Sequence, residues 1–264
     1  MNRLAAVRRD TEQNDIYVYE LTGARRRTRF TLNPRANGTP VWSPDGRRIA
    51  FSSEREAGRL DLYVKGALDA GGAEELLYRA PEAPGVRPTD WSPDGRYILL
   101  WSTLGSERPQ NDVVVVSVAD RRARTLIADA GFATFSPDGR WVAYWTNKSG
   151  QGEIYVRRFD PSGTVADPPE WTVSNRARSI RPLWRGDEIF YRTFEQQVAA
   201  VKVKAGDGPQ FSAGVPELLF PIAPQTQPWE LSKDGQRFIV PLPATEAQAT
   251  AYKIVLNWEH MVER

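Results

Sequence analysis

Short apolar runs of strand length recur along this chain, each enriched in β-branched and aromatic residues and each closed by polar or turn-forming ones. RRIAFSS, RYILLWS, RWVAYWT, DEIFYRT and QRFIVPL are the sharpest of them. After a loop, a further run opens on an acidic residue: Asp61-Leu62-Tyr63-Val64, Asp112-Val113-Val114-Val115 and Glu153-Ile154-Tyr155-Val156. A shorter run then follows, as EELLYR, RTLIAD, EWTVSN or PELLFP. The period suits strands and gives no sustained helical face.

What precedes the first set of runs is nearly constant. WSPDGRRIAF spans Trp42 to Phe51, WSPDGRYILL starts at Trp91, FSPDGRWVAY at Phe135, and a variant, LSKDGQRFIV, at Leu231. The anchor serines Ser43, Ser92, Ser136 and Ser232 are 49, 44 and 96 residues apart, and the long gap holds a degenerate copy, PLWRGDEIFY, from Pro182 to Tyr191. Ser and Asp side chains accept hydrogen bonds from nearby amides, Pro presets φ, and Gly tolerates positive φ. Ser43, Asp45, Gly46, Ser92, Asp94, Gly95, Ser136, Asp138, Gly139, Asp234 and Gly235 are therefore expected to build turns. As catalytic groups they would require several equivalent active sites. Trp42, Trp91, Phe135 and Trp184 are expected to pack between neighbouring sheets.

Four strands per unit at a period of about 45 residues predict propeller blades. The expected fold is all-β: a six-bladed β-propeller of about 22 strands, a count that follows from four strands per blade, with incomplete first and last blades. Blade boundaries fall near 1–35, 36–82, 83–129, 130–176, 177–222 and 223–258, with 259–264 as a tail. The N-terminus joins the pattern at a second strand (Arg3 to Val7). The last unit has PWELS, RFIVPL and YKIVLNW but no fourth strand. One segment ahead of Met1 would complete both ends, so the chain reads as the truncated end of a longer protein or as starting at a misassigned methionine, with an open or three-stranded closure as the alternative.

The anchor followed by [DE]-[IL]-Y-V resembles the TolB-like propeller repeat over nearly the whole chain. The closing stretch AYKIVLNWEHMVER is similar to the end of propellers found C-terminal to bacterial serine/threonine kinases or winged-helix DNA-binding domains. The resemblance implies a protein-binding role, and a periplasmic location if the chain is part of a longer TolB-like protein, otherwise a cytoplasmic one.

Composition narrows the chemistry. The 264 residues are 41% hydrophobic with net charge +2 and no cysteine, which removes thiol catalysis, disulfides and thiolate metal sites. No run of 18 apolar residues predicts a membrane span. Arginines cluster at Arg25, Arg26, Arg27 and Arg29 and at Arg121, Arg122 and Arg124 without a nucleic-acid motif, so they read as solvated strand edges, with no nucleic-acid partner expected. The single histidine, His260, lies near the C-terminus, and no G-x-S-x-G elbow or phosphate-binding glycine loop occurs. The acids Asp10, Glu12, Asp15, Asp160 and Asp167 read as solvated loop carboxylates, and GDGPQFSAG as a turn-rich linker. No cofactor or metal is expected.

The residues that lead into each innermost strand converge on the mouth of a propeller channel. Their polar and aromatic members are Arg87, Asp90, Arg181, Gln227, Trp229 and Glu230. The function expected is a non-catalytic recognition or scaffold module that binds a protein or peptide there and through its loops, as a monomer or fused to an upstream domain. The alternative is a carbohydrate-active lyase or glycosidase using Asp90, Glu230 and channel arginines.

Overall fold

The computed structural model describes residues 3–9, 14–23, 26–56, 58–68, 71–81, 84–104, 110–166, 168–174, 181–206, 208, 210–222, 230–232, 235, 237–241 and 252–256. Among them every regular element is a strand, and no helix is long and apolar enough to cross a membrane. The chain divides into two compact units, Met1–Phe135 and Ser136–Arg264.

The first unit opens with a three-stranded antiparallel sheet of β1 (Arg3–Arg9), β2 (Asn14–Glu20) and β3 (Arg27–Arg29). A second set follows: β4 (Asn37–Trp42), β5 (Arg48–Glu56), β6 (Arg59–Gly66) and β7 (Glu75–Tyr78). The third is β8 (Pro84–Trp91), β9 (Tyr97–Leu104), β10 (Gln110–Ser117) and β11 (Ala123–Ile127), and β12 (Ala130–Phe135) ends the unit. Within each set, strands consecutive in the chain pair antiparallel, the meander that the recurring runs predict. One parallel pair, Leu60 opposite Gly85, joins the second and third sets edge to edge.

The second unit holds β13 (Trp141–Thr146), β14 (Glu153–Arg158) and β15 (Glu170–Thr172). Next come β16 (Leu183–Arg185), β17 (Glu188–Arg192), β18 (Gln197–Ala205), β19 (Phe211–Ala213) and β20 (Glu217–Pro221). The last set is β21 (Glu230–Leu231), β22 (Arg237–Pro241) and β23 (Tyr252–Leu256). Two details depart from the expected pattern. GDGPQFSAG is not all linker: β18 is nine residues long, β20 pairs only with its Gln197–Ala200 half, and β19 takes the remaining edge at Val203–Ala205. The described strands therefore number 23. The degenerate anchor is two residues short because Arg185 faces Glu188 across a two-residue hairpin loop, with Gly186 at φ 55°.

The SPDG turns are built alike. Ser43, Ser92 and Ser136 each donate a hydroxyl hydrogen bond to their aspartate Oδ1 at 2.6 Å. That oxygen also accepts the amide of Arg47, Arg96 or Arg140 at 3.0 Å. The serine Oγ accepts the amide of Arg48, Tyr97 or Trp141 at 2.9 Å, and the glycines sit at φ 67°, 76° and 73°. At the fourth copy Ser232 Oγ takes the Arg237 amide at 2.9 Å and Gly235 has φ 76°; Asp234 lies outside the described residues. Asp45, Asp94 and Asp138 thus each spend Oδ1 on the turn itself.

Apolar clusters sit between consecutive sheets within each unit. Ile16, Val18 and Phe30 pack on Ile49, Phe51 and Tyr63; Leu62, Val64 and Leu77 pack on Val86, Trp91 and Ile98. In the second unit, Trp141, Ile154 and Val156 meet Trp184, Tyr191 and Phe211, while Phe190 and Val198 meet Leu231 and Phe238. Trp91 and Trp184 are core residues of these layers, Phe135 is buried, and Trp42 packs half-buried on the first cluster. Residues on both faces of the sheets are buried, so the strands read as near-continuous apolar runs more than as clean alternation.

Candidate functional site

The strands that lead into the first two anchors, β4 and β8, are irregular. The β4–β5 register shifts between Gly38 and Val41, and the β8–β9 register between Pro88 and Asp90. Thr39 and Phe132, each four residues ahead of its anchor serine, adopt left-handed φ values of 47° and 50°. Such bulges re-aim side chains and leave a strained non-glycine backbone in place.

Arg87, on β8 opposite Trp101, lays its guanidinium over the Trp101 ring, 5.3 Å from the centroid. Trp101 is fixed on its other sides. Its ring lies 4.4 Å from Phe132, its Nε1 donates to Asn111 Oδ1 at 2.9 Å, and a Cβ on Gly131 would come within 3.3 Å of it. Burial pulls the Arg87 guanidinium below its usual pKa, and among the described residues no carboxylate stands against it.

Asp90 serves differently. One oxygen accepts the Trp91 amide at 2.8 Å, and the other accepts the Thr134 hydroxyl and the Phe135 amide, both at 2.7 Å. Beside it the Thr89 hydroxyl donates to the Ala133 carbonyl at 2.8 Å. This carboxylate ties β8 to β12. Replacing Asp90 by Asn puts an NH2 against at least one of these donors and should cost about 2 kcal/mol. The melting temperature is expected to fall by roughly 4–8 °C; unchanged melting would mean the carboxylate does not hold the two strands together.

In the second unit, Arg181 and Glu230 come together, Nη2 to Oε2 at 3.1 Å, and Arg185 reaches Glu230 Oε1 at 3.4 Å. Glu230 also accepts the Leu231 amide at 3.2 Å, the counterpart of Asp90 on Trp91. Gln227, Trp229 and His260, like Asp10, Glu12 and Asp167, lie outside the described residues.

Other polar groups escaped the sequence reading. Asp15 is buried rather than solvated, held by Arg29 at 2.8 Å and by the Thr31 hydroxyl at 3.1 Å. Asp61, also buried, accepts the Ala80 amide at 2.9 Å and so fixes the chain beyond β7. A repeated trio recurs as well: Arg55 over the Tyr63 ring at 3.8 Å and paired with Glu74, and Lys148 over Tyr155 at 3.9 Å and paired with Glu170. Arg55 and Lys148 both stand twelve residues after their anchor serines, a spacing visible in the sequence.

At Glu170 burial works to raise the pKa, but hydrogen bonds from Lys148 and Tyr144 and the nearby Arg157 outweigh it and hold the carboxyl below its ordinary 4.5. Burial and the Glu170 hydrogen bond push the Tyr144 phenol upward. A depressed folded-state pKa stabilises above the unfolded value and loses that contribution as pH falls through the folded one. Glu170→Gln should therefore lower stability at pH 7 by about 1 kcal/mol. Melting curves of the two proteins are expected to converge as the pH drops below 4.5, the ordinary value.

Two small hollows lie among the described residues, about 150 Å³ beside Pro137, Trp184 and Asp187 and about 160 Å³ beside Glu20, Arg29 and Phe30. Small-molecule sites usually occupy about 300–1,000 Å³.

Comparison with known proteins fits this geometry. No family model matches the chain. The uncharacterized peptidase YuxL of Bacillus subtilis (strain 168) is 30% identical over a stretch that covers 53% of this chain and 26% of the relative. Among solved structures, TolB from Acinetobacter baumannii superposes with a TM-score of 0.66 at 16% identity, covering 97% of this chain and 61% of that one. An oligogalacturonate lyase from Vibrio parahaemolyticus gives 0.60 at 11% identity, covering 97% and 72%. The chain has an all-β propeller fold similar to that of TolB. It spans about a quarter of the length of the curated relative.

Proposed function

We propose that this chain is a non-catalytic recognition module, which binds a protein or peptide through the mouth formed by its inner strands and through its loops. We further propose that it works as part of a larger bacterial signalling or TolB-like protein. The observation that carries this reading is the state of the charged groups at the inner strands. Both Asp90 oxygens accept structural hydrogen bonds, and Glu230 is held by two guanidiniums and an amide. Neither carboxylate stands free to act as base or nucleophile, whereas Arg87 presents a cation on an aromatic platform. Rigid strands carrying such groups suit binding, with variable loops for specificity.

A random-peptide display selection on the full chain tests it, with competition by the free selected peptide. Recovery of a competed consensus supports recognition. A second reading, an oligosaccharide lyase, is favoured only by the likeness to the oligogalacturonate lyase fold. Formation of unsaturated uronate from oligogalacturonate, together with no competed peptide, would replace the recognition reading with that one.

A further inference from the structure

Among the described residues, Arg87 is the cation of the anchor-leading strands that has a fixed setting and no carboxylate against it. Arg181 and Arg185 share Glu230, and Arg29, Arg55, Arg59 and Arg79 each meet a carboxylate. Taking a guanidinium part-way out of water without an anion is costly, and an anion brought by a ligand would offset that cost. The surroundings are correspondingly fixed. Trp101 is held by Asn111 and by the close approach of Gly131, and Phe132 is kept at φ 50° against it. Strain of this kind persists only where the neighbourhood over-determines it.

We propose that Arg87, with the rings of Trp101 and Phe132, forms a carboxylate-recognition subsite for a peptide, its fork of donors taking the carboxylate and the rings taking the adjacent apolar side chain. The inference rests on the peptide-recognition reading above and deepens it. A guanidinium fork matches a carboxylate bidentately, and the ring face behind it limits approach to one side. Several described polar atoms of these strands are engaged within the fold: Asn111 Oδ1 accepts from Trp101, the Thr89 hydroxyl donates to the Ala133 carbonyl, and Asp90 accepts from Thr134 and Phe135. A polyhydroxylated sugar acid would need further partners for its hydroxyls, so the setting favours an acidic residue beside an aromatic or aliphatic one. The carboxylate has two sources in a peptide, an Asp or Glu side chain and the chain terminus.

The test follows the Trp101 indole signal of the full chain by NMR, assigned with Trp101→Phe. The probes are N-acetyl-Phe-Asp-amide, N-acetyl-Asn-Phe with a free carboxyl terminus, their Asn and terminal-amide counterparts, and digalacturonate. Saturable shifts are expected with at least one carboxylate peptide, at least ten-fold weaker with its uncharged counterpart and weaker in high salt. Whichever carboxylate peptide binds identifies the source. Arg87→Gln should abolish the shift and Arg87→Lys should keep part of it. Because Arg87 lacks a described counter-charge, Arg87→Met should melt no lower than the parent chain, a result a structural ion pair would not give. Equal binding of the uncharged peptides, undiminished binding in Arg87→Gln, a lower melting temperature in Arg87→Met, or a response to digalacturonate alone would each overturn the subsite. A display-selected peptide whose binding ignores Arg87→Gln sinks the subsite and leaves the recognition reading intact. Failure of every selected peptide and every probe sinks both.

Discussion

Gly85→Ala is expected to lower the melting temperature by roughly 6–12 °C, for a loss of about 3 kcal/mol. Two independent causes add. Gly85 sits at φ 96°, a region that L side chains rarely adopt. A Cβ there would also lie 2.6 Å from the Leu60 amide nitrogen and 2.8 Å from its carbonyl carbon, and closer still to the carbonyl oxygen. Those atoms are backbone of β6 at its pairing with β8, so relief requires the two edges to separate. Gly150→Ala isolates the first cause, because Gly150 has φ 82° and open space around it. That control should cost only about 1 kcal/mol. Equal melting of the two variants would show that the Leu60–Gly85 contact does not constrain the edges.

The repeat was legible because its chemistry is local. Ser, Asp and Gly of each turn satisfy one another within five residues, so the motif predicts the hairpin without reference to anything distant. The strand grouping followed from the same anchors, and the leading aromatics Trp91 and Trp184 lie between sheets as expected. What the sequence hid is long-range. Asp90 looked like a mouth carboxylate, yet its partners Thr134 and Phe135 lie 44 and 45 residues on, on the next inner strand. Asp15 looked solvated because its partners, Arg29 and Thr31, come from the end of the neighbouring strand β3 and just beyond it, on the far side of a loop in sequence. The Arg55 and Lys148 trios carried a readable signal, a cation at fixed distance from the anchor and a Tyr in the acidic third strand. Arg87 was placed in the mouth from its position alone, while its stacking on Trp101 depends on a register shift no propensity reveals.

Phe211→Ala is expected to cost about 3 kcal/mol, the range for removing a buried phenylalanine, and to lower the melting temperature by roughly 6–12 °C. In sequence Phe211 sits inside a Gly- and Pro-rich stretch and looks like a loop residue. In the structure it is the first residue of β19 and its ring lies 5.6 Å from Trp141, 5.7 Å from Trp171 and 6.2 Å from Trp184. Three indoles from three strands thus close on one ring, and its loss leaves a void that rigid aromatic neighbours on separate strands fill poorly. Tryptophan emission should shift to the red at the same time, since water reaches the indoles. Val215, four residues on and 89% exposed, supplies the comparison: Val215→Ala should melt within about 2 °C of the parent chain. If both variants behave alike, β19 is only a connector, and the core of this unit ends at Trp171 and Trp184.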